Sequence, residues 1–127
     1  MEKEFVPYEL ALRMKQLGFD EKCFRYYQNG FLMNDNPYLV PKNSHLITSE
    51  KECSAPTFSQ AFRWFRDEYN LFGYSYPNDY QTYGYRIVEV KSPENKELIY
   101  DWGTNNTNEE AELACLEKLI EIVEKQK

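Results

Sequence analysis

The first hydrophobic pattern along the chain is that of a short amphipathic helix. Leu10, Met14 and Leu17 recur on one helical face, and Gly18 directly after them is typical of a left-handed helix end. The pattern predicts a helix over about residues 7–17. A helix with so few apolar positions is not stable alone, so we expect this face to dock on the rest of the chain in one shared core.

The next residues have the composition of a β-hairpin followed by a long connection. Two β-prone segments flank Asn29-Gly30, the dipeptide that best supplies two positive φ angles in a tight turn, and predict a hairpin over residues 23–33. Residues 34–56 are rich in Pro, Asn and Ser and predict an irregular connection. Its one strand-like segment is residues 45–48.

The second half of the chain predicts a helix, three strands and a final helix. Capping boxes, T-F-S-Q from Thr57 and T-N-E-E from Thr107, mark the starts of the two helices, and the last helix runs to about Val123. Between them, a Pro-Asn-Asp break and a Ser-Pro-Glu-Asn turn separate strands predicted at residues 71–76, 83–91 and 97–102.

These elements give the order α-β-β and then α-β-β-β-α. We expect an α+β fold with an antiparallel sheet and the helices packed on one of its faces. A length of 127 residues suits one domain. We therefore interpret residues 1–127 as a single domain, made of a helix plus hairpin (1–33), an irregular connection (34–56) and an αβββα unit (57–127).

Composition excludes several classes of protein. The chain is 17% aromatic and 42% hydrophobic, which favours a folded core over a disordered acidic chain. A net charge of -6 argues against a broad nucleic-acid surface, which depends on Lys and Arg. No segment resembles a signal peptide or a membrane span, and the three cysteines lie far apart. We expect a cytoplasmic protein with reduced thiols and no membrane association.

The polar residues form no recognisable catalytic or metal-binding motif. His45 is the only histidine and has no acid nearby in sequence to orient it, while Asp67 and Glu68 are typical of a solvated helix surface. Arg63 and Arg66 lie on one helical turn and can clamp an anion, although pairing with nearby acids is the commoner role. We predict no catalytic residue, no metal and no cofactor.

Tyrosines are concentrated around the Pro-Asn-Asp break, where five rings are more than one pair of strands can bury. Alternation predicts that Tyr74 and Tyr76 share one strand face and that Tyr80 lies exposed at a loop tip. Tyrosine is enriched at recognition surfaces, although an aromatic ladder that only stabilises the sheet explains the pattern equally well. With the two helical arginines, the candidate binding residues are Tyr74, Tyr76, Tyr80, Tyr83, Arg63 and Arg66.

From Thr57 to Lys125, the element order and the ending T-N-E-E-A-E-L-A-C-L-E-K-L resemble a double-stranded RNA-binding domain. In that family, lysines at the start of the last helix span the RNA phosphates. Here the matching positions hold Asn108, Glu109 and Glu112. The resemblance therefore implies a topology, and we expect no double-stranded RNA to bind in the usual mode.

A second resemblance covers nearly the whole chain. It is carried by E-F-V-P-Y-E-L-A-L at 4–12, L-G-F-D-E at 17–21, A-P-T-F-S-Q-A-F-R-W-F-R at 55–66 and E-E-A-E-L-A-C-L-E-K-L-I at 109–120. These segments resemble a family of small uncharacterised proteins from Bacteroidetes-type gut bacteria and their phages. The resemblance implies an accessory gene of bacterial or phage origin and assigns no catalytic residue.

Two classes of function agree with the sequence. The first is a non-catalytic protein-interaction or accessory protein, which presents its Tyr-rich segment and an acidic helix surface to a protein partner. The second is a small-molecule or nucleotide-binding protein, with or without catalysis, in which residues 34–56 act as a lid and Arg63, Arg66 or Arg86 holds an anionic group.

Overall fold

A computed structural model describes residues 4–34, 51–91 and 94–126 of the chain. Within these ranges the fold is α+β, with two three-stranded antiparallel sheets, and its C-terminal part has the predicted αβββα order. The elements are α1 (Tyr8–Gln16), β1 (Arg25–Gln28), β2 (Phe31–Asn34), β3 (Cys53–Ala55), α2 (Phe58–Tyr69), β4 (Leu71–Pro77), β5 (Tyr83–Glu89), β6 (Lys96–Asn105) and α3 (Asn108–Gln126). The chain divides into two compact units, Met1–Gln60 (unit 1) and Ala61–Lys127 (unit 2).

The sheet of unit 1 has the strand order β2-β1-β3. Strands β1 and β2 form the predicted hairpin, in which Asn29 and Gly30 have φ angles of 53° and 82°. Strand β3 pairs with the other edge of β1 and lies inside residues 34–56, where the sequence predicts irregular structure. Its three residues are all buried, so no alternation signals a strand. The strand predicted at residues 45–48 lies outside the described residues.

Helix α1 packs against β3 and ends as the sequence predicts. Gly18 has a φ of 107°, and the backbone N–H of Phe19 donates to the Met14 carbonyl oxygen at 3.0 Å. The predicted apolar face is buried, because Leu10, Met14 and Leu17 are each less than a tenth exposed. This face therefore belongs to a core, as the short helix requires.

Helix α2 begins at the first predicted capping box. The Thr57 hydroxyl oxygen accepts the backbone N–H of Gln60 at 3.1 Å. In a capping box the Gln60 side chain is expected to bond the backbone at the start of its own helix. Here its amide instead donates to the Lys22 carbonyl oxygen at 2.7 Å and so connects the helix start to the segment before β1. Farther along α2, Trp64 and Phe65 are buried and in edge-to-face contact, with centroids 5.0 Å apart.

The sheet of unit 2 has the order β4-β5-β6, and α3 packs on one of its faces. Leu71 and Ile87 are buried on this side. Gly73 allows a close approach, because a Cβ there would lie 2.8 Å from Cys115 Sγ and 2.9 Å from Leu119 Cδ1. The helix is therefore held close to the sheet, and the opposite face of the sheet is the one that can carry a site.

Helix α3 starts at the second predicted capping box. The Thr107 hydroxyl accepts the Glu110 N–H at 3.1 Å, and the Glu110 carboxylate accepts the Asn106 N–H at 3.1 Å. The helix ends at Gln126, beyond the predicted end at Val123, because its last turn is polar and adds no apolar periodicity. None of the helices in the described part of the chain has both the length and the apolar character needed to cross a membrane.

Candidate functional site

The face of the unit 2 sheet opposite α3 is lined with aromatic side chains. Alternate residues of β4 and β6 point to this face, which is why their rings are not part of the core under α3. Their exposed fractions are 43% for Tyr74, 58% for Tyr100 and 56% for Trp102. We call this surface the aromatic face; it consists of Phe72, Tyr74 and Tyr76 of β4, Arg86 of β5, and Tyr100 and Trp102 of β6.

Arg86 lies at the centre of the aromatic face and is held by three neighbouring side chains. Its Nε donates to Glu97 Oε2 at 2.9 Å, Nη2 contacts the same oxygen, and Nη1 donates to the Tyr74 hydroxyl at 3.1 Å. The guanidinium lies 5.8 Å from the centroid of the Tyr100 ring. The bond to Glu97 raises the pKa of Arg86 above its already high value. Arg86 is thus a permanent cation whose charge is compensated within the face.

Tyr76 lies across β5 at the position of Gly84. Its hydroxyl donates to the Asp101 carbonyl oxygen at 2.8 Å, and its ring is 20° from parallel to that of Tyr100, with centroids 6.3 Å apart. A Cβ at Gly84 would lie 2.9 Å from the Tyr76 hydroxyl and would collide with the Asp101 carbonyl oxygen, so glycine is required. Burial, together with the nearby Tyr100 and Asp101, raises the pKa of Tyr76 to about 12. Its phenol therefore stays a neutral donor.

The loop between β4 and β5 holds Tyr80 against Trp102. The two rings meet edge to face, with centroids 6.2 Å apart and planes at 85°. Asn78 fixes the loop, because its Oδ1 accepts the N–H groups of Tyr80 at 2.8 Å and Thr82 at 3.1 Å. Its Nδ2 donates to the Thr82 hydroxyl at 2.6 Å and to the Trp102 carbonyl oxygen at 3.0 Å. Gly103, with a φ of 152°, leaves the space that this amide occupies.

The structure brings three of the four predicted tyrosines to one area. Tyr74 and Tyr76 lie on the aromatic face, and Tyr80 lies beside it on the loop, where it is 76% exposed as predicted. Tyr83 is not among them, because alternation along β5 places it on the α3 side with the buried Tyr85. Tyrosines close in sequence are therefore divided between the two sides of the sheet.

The three candidate arginines have different surroundings. The guanidinium of Arg66 lies 5.8 Å from the Phe72 ring centroid, and Arg86 is engaged with Glu97. Arg63 lies exposed on α2. The contacts of Arg66 and Arg86 are with a ring and with a carboxylate of this chain, so these contacts do not describe an anion clamp.

Sequence reasoning missed three members of the aromatic face, namely Phe72, Tyr100 and Trp102. The alternation that predicts β6 does contain Tyr100 and Trp102 at every second position. Alternation does not say which side is buried, because that depends on where α3 packs. The available signal was the recurrence of large aromatic residues at alternate positions of both edge strands.

The three cysteines Cys23, Cys53 and Cys115 are buried free thiols. Burial raises the pKa of each of them to about 12. Because the nucleophile is the thiolate, these side chains are unreactive at neutral pH. They serve the protein as small hydrophobic side chains in its cores.

Across residues 4–34, 51–91 and 94–126, no three His, Cys, Asp or Glu side chains come together in a group that could hold a metal ion. Comparisons of the chain with protein-family models, with curated proteins and with solved structures give no match.

Proposed function

We propose that the protein is a non-catalytic binding protein whose aromatic face docks a protein partner. The observation that carries the proposal is the exposure of large rings on a sheet, with Tyr74, Tyr100 and Trp102 each about half exposed. Aromatic side chains with polar tips give large contact area at low entropic cost, and they are enriched in the buried centres of protein interfaces. Exposed apolar patches on a sheet are typical of such interfaces.

The rings are held in place before any partner arrives. Tyr74 is hydrogen-bonded to Arg86, and Tyr76 is bonded to the backbone of β6. The Tyr100 ring contacts both the Arg86 guanidinium and the Tyr76 ring. A preformed surface loses less conformational entropy on binding than a flexible one. These contacts stabilise the sheet as well, and it is the exposure of the rings that favours a docking surface.

The charges of the face favour a protein over a nucleotide or another anion. Arg86 is the cation at its centre, and Glu97 neutralises it through two contacts to one carboxylate oxygen. A phosphate group would meet a guanidinium that is already paired with a carboxylate, and the negative charge of Glu97 would repel it. Binding of single-stranded nucleic acid likewise combines stacking with a positively charged groove, whereas the chain carries a net charge of -6.

The experiment is a comparison of immobilised proteins in lysate of a Bacteroidetes-type gut bacterium, with captured proteins quantified by mass spectrometry. The test variant is Tyr74→Ala/Tyr100→Ala. The matched control, Phe24→Ala/Phe31→Ala, removes two rings of unit 1 that are 73% and 71% exposed. We expect a protein retained by the wild type and the control and depleted at least about tenfold by the test variant, as for loss of central anchors. Equal capture by all three contradicts the proposal.

A parallel thermal-shift screen against nucleotides and sugar phosphates addresses the second class of function. We expect no ligand to raise the melting temperature of the wild type. Stabilisation by an anionic ligand that disappears in Arg86→Ala would show that the arginine binds phosphate and that the face is a small-molecule site.

The biological setting is also part of the proposal. The four resembling segments support an accessory protein of bacterial or phage origin, and three buried free thiols agree with a reducing cytoplasm. Glu109 and Glu110 in the first turn of α3 support the view that double-stranded RNA is not the ligand, because these acids would repel its phosphates.

A further inference from the structure

We infer that the corner between Tyr80 and Trp102 receives a cationic side chain, arginine or lysine, from the protein partner that the aromatic face docks. The inference rests on the proposed function and names the chemistry of the partner segment. It comes from four observations on unit 2: the geometry of the two rings, the cations that already lie over other rings of the face, the charge around the two rings, and the rigidity of the loop that presents them.

The two rings form an open corner. Their planes meet at 85°, and the side chains of Tyr80 and Trp102 are 76% and 56% exposed. The ring face of Trp is the strongest cation–π acceptor among side chains, and a second ring at a right angle adds a wall for the same cation. Guanidinium also stacks on such faces through its flat shape.

The corner differs from the other exposed rings of the face in its partners. Among the described residues of unit 2, arginines of the chain itself lie over Phe72 and Tyr100, whereas the cation–ring contacts do not include Tyr80 or Trp102. Two of the exposed rings thus already hold a cation, and the corner presents the same chemistry for a cation from outside.

The charged side chain beside the corner is acidic. Asp79 directly precedes Tyr80 and is exposed, whereas the Asp101 carboxylate is bonded to Thr104 and Asn105, and Arg86 of the aromatic face is paired with Glu97. Segments 67–85 and 97–117, which contain the loop, most of β6 and the start of α3, have no lysine, arginine or histidine. A cationic group is therefore attracted to this end of the sheet, and an anionic group is repelled.

The corner is also preformed. Asn78 binds the backbone of Tyr80 on one side and the carbonyl oxygen of Trp102 on the other, so both rings are anchored to one amide. A cation entering the corner does not have to order the loop first, which favours binding by a short segment of the partner.

The test is a titration of the full-length, nitrogen-15-labelled protein with a short peptide of alternating Arg and Gly, followed by NMR. Only two indole N–H signals exist, and Trp64 is buried while Trp102 is exposed, so Trp64 is an internal reference. We expect the Trp102 signal to shift and saturate and the Trp64 signal to stay in place. The shift should weaken as salt is raised.

Four variants show which side chains bind the peptide. We expect Tyr80→Ala and Trp102→Ala each to weaken peptide affinity about tenfold, read from backbone signals of the loop, and Asp79→Asn to weaken it less and to reduce its salt dependence. Phe31→Ala, which removes an exposed ring of unit 1, should leave affinity unchanged.

The inference is overturned if a peptide of alternating Gln and Gly shifts the Trp102 signal equally, or if the Arg peptide leaves that signal in place. Either result leaves the proposed function standing when capture in lysate still depends on Tyr74 and Tyr100. Conversely, a saturable Trp102 shift supports binding of a cation at the corner. If the Tyr74→Ala/Tyr100→Ala variant then captures the partner as well as the wild type does, the proposed docking role of the aromatic face is contradicted.

Discussion

Replacing Asn78 by alanine tests how the loop that carries Tyr80 is held. The substitution removes four hydrogen bonds, two accepted by Oδ1 from the N–H groups of Tyr80 and Thr82 and two donated by Nδ2 to Thr82 and Trp102. At about 1 kcal/mol net each, these bonds contribute at most about 4 kcal/mol. Because Asn78 is half-buried, water replaces part of them, and we expect the loop to lose about 2 kcal/mol.

The assay is amide hydrogen exchange measured by NMR. A loss of about 2 kcal/mol corresponds to exchange about 30-fold faster at the amides of Tyr80 and Thr82, with little change in α3. Asn78→Asp keeps the acceptor oxygens and loses the donor, so it should retain most of the protection at these two amides. Asp79→Ala, at the neighbouring exposed position, should change neither rate.

Exchange rates in Asn78→Ala that both stay within about twofold of the wild type would show that Asn78 does not hold the loop. Loss of protection across the whole unit together would also contradict the prediction, because Asn78 would then support the sheet and not the loop. In the predicted outcome, the Trp102 indole signal also moves, since the ring of Tyr80 is no longer held beside it.

Three further outcomes are expected. Tyr80→Ala should change the melting temperature by no more than about 2 °C, because its ring is 76% exposed; a large drop would show that the ring is structural. The thiols of Cys23, Cys53 and Cys115 should resist alkylation at pH 8 until the protein unfolds. Because burial raises the pKa of each thiol to about 12, their contribution to the free energy of unfolding is complete below pH 9 and falls as pH rises towards 12. Melting curves at alkaline pH would measure this loss. Deleting residues 1–33 removes α1, β1 and most of β2 and leaves β3 without the strand it pairs with, so the remainder should unfold or aggregate; a soluble fragment with a cooperative melt would contradict this.

Local signals explain why most elements could be predicted from the sequence. Thr57 and Thr107 cap the helices that follow them, Asn29-Gly30 closes the hairpin, and Gly18 ends α1, because in each case neighbouring residues decide the backbone. The short β3 carries no such signal. Its formation depends on pairing with β1, a contact distant in sequence. For the same reason, the sequence does not reveal that the strands of the described residues form two separate sheets.

The candidate site was predictable only in part, for the same reason. Alternation correctly groups Tyr74 with Tyr76 and sets Tyr80 apart at the loop tip. The partnership of Tyr74 with Arg86 and of Arg86 with Tyr100 depends on the register of three strands, which no local pattern specifies. The composition of the aromatic face therefore depends on the pairing of β4, β5 and β6, which is known only from the folded structure.

The most direct test of the aromatic face as a protein-binding surface is site-specific photo-crosslinking. A benzophenone amino acid is introduced at Tyr100, an exposed ring of the face next to Arg86, and in a second protein at Phe31, an exposed ring of unit 1. In lysate, we expect a discrete crosslinked protein from position 100 that is absent from position 31 and that disappears when unlabelled wild type competes for the partner. Crosslinks of equal pattern and intensity from both positions, or none from position 100, would contradict it.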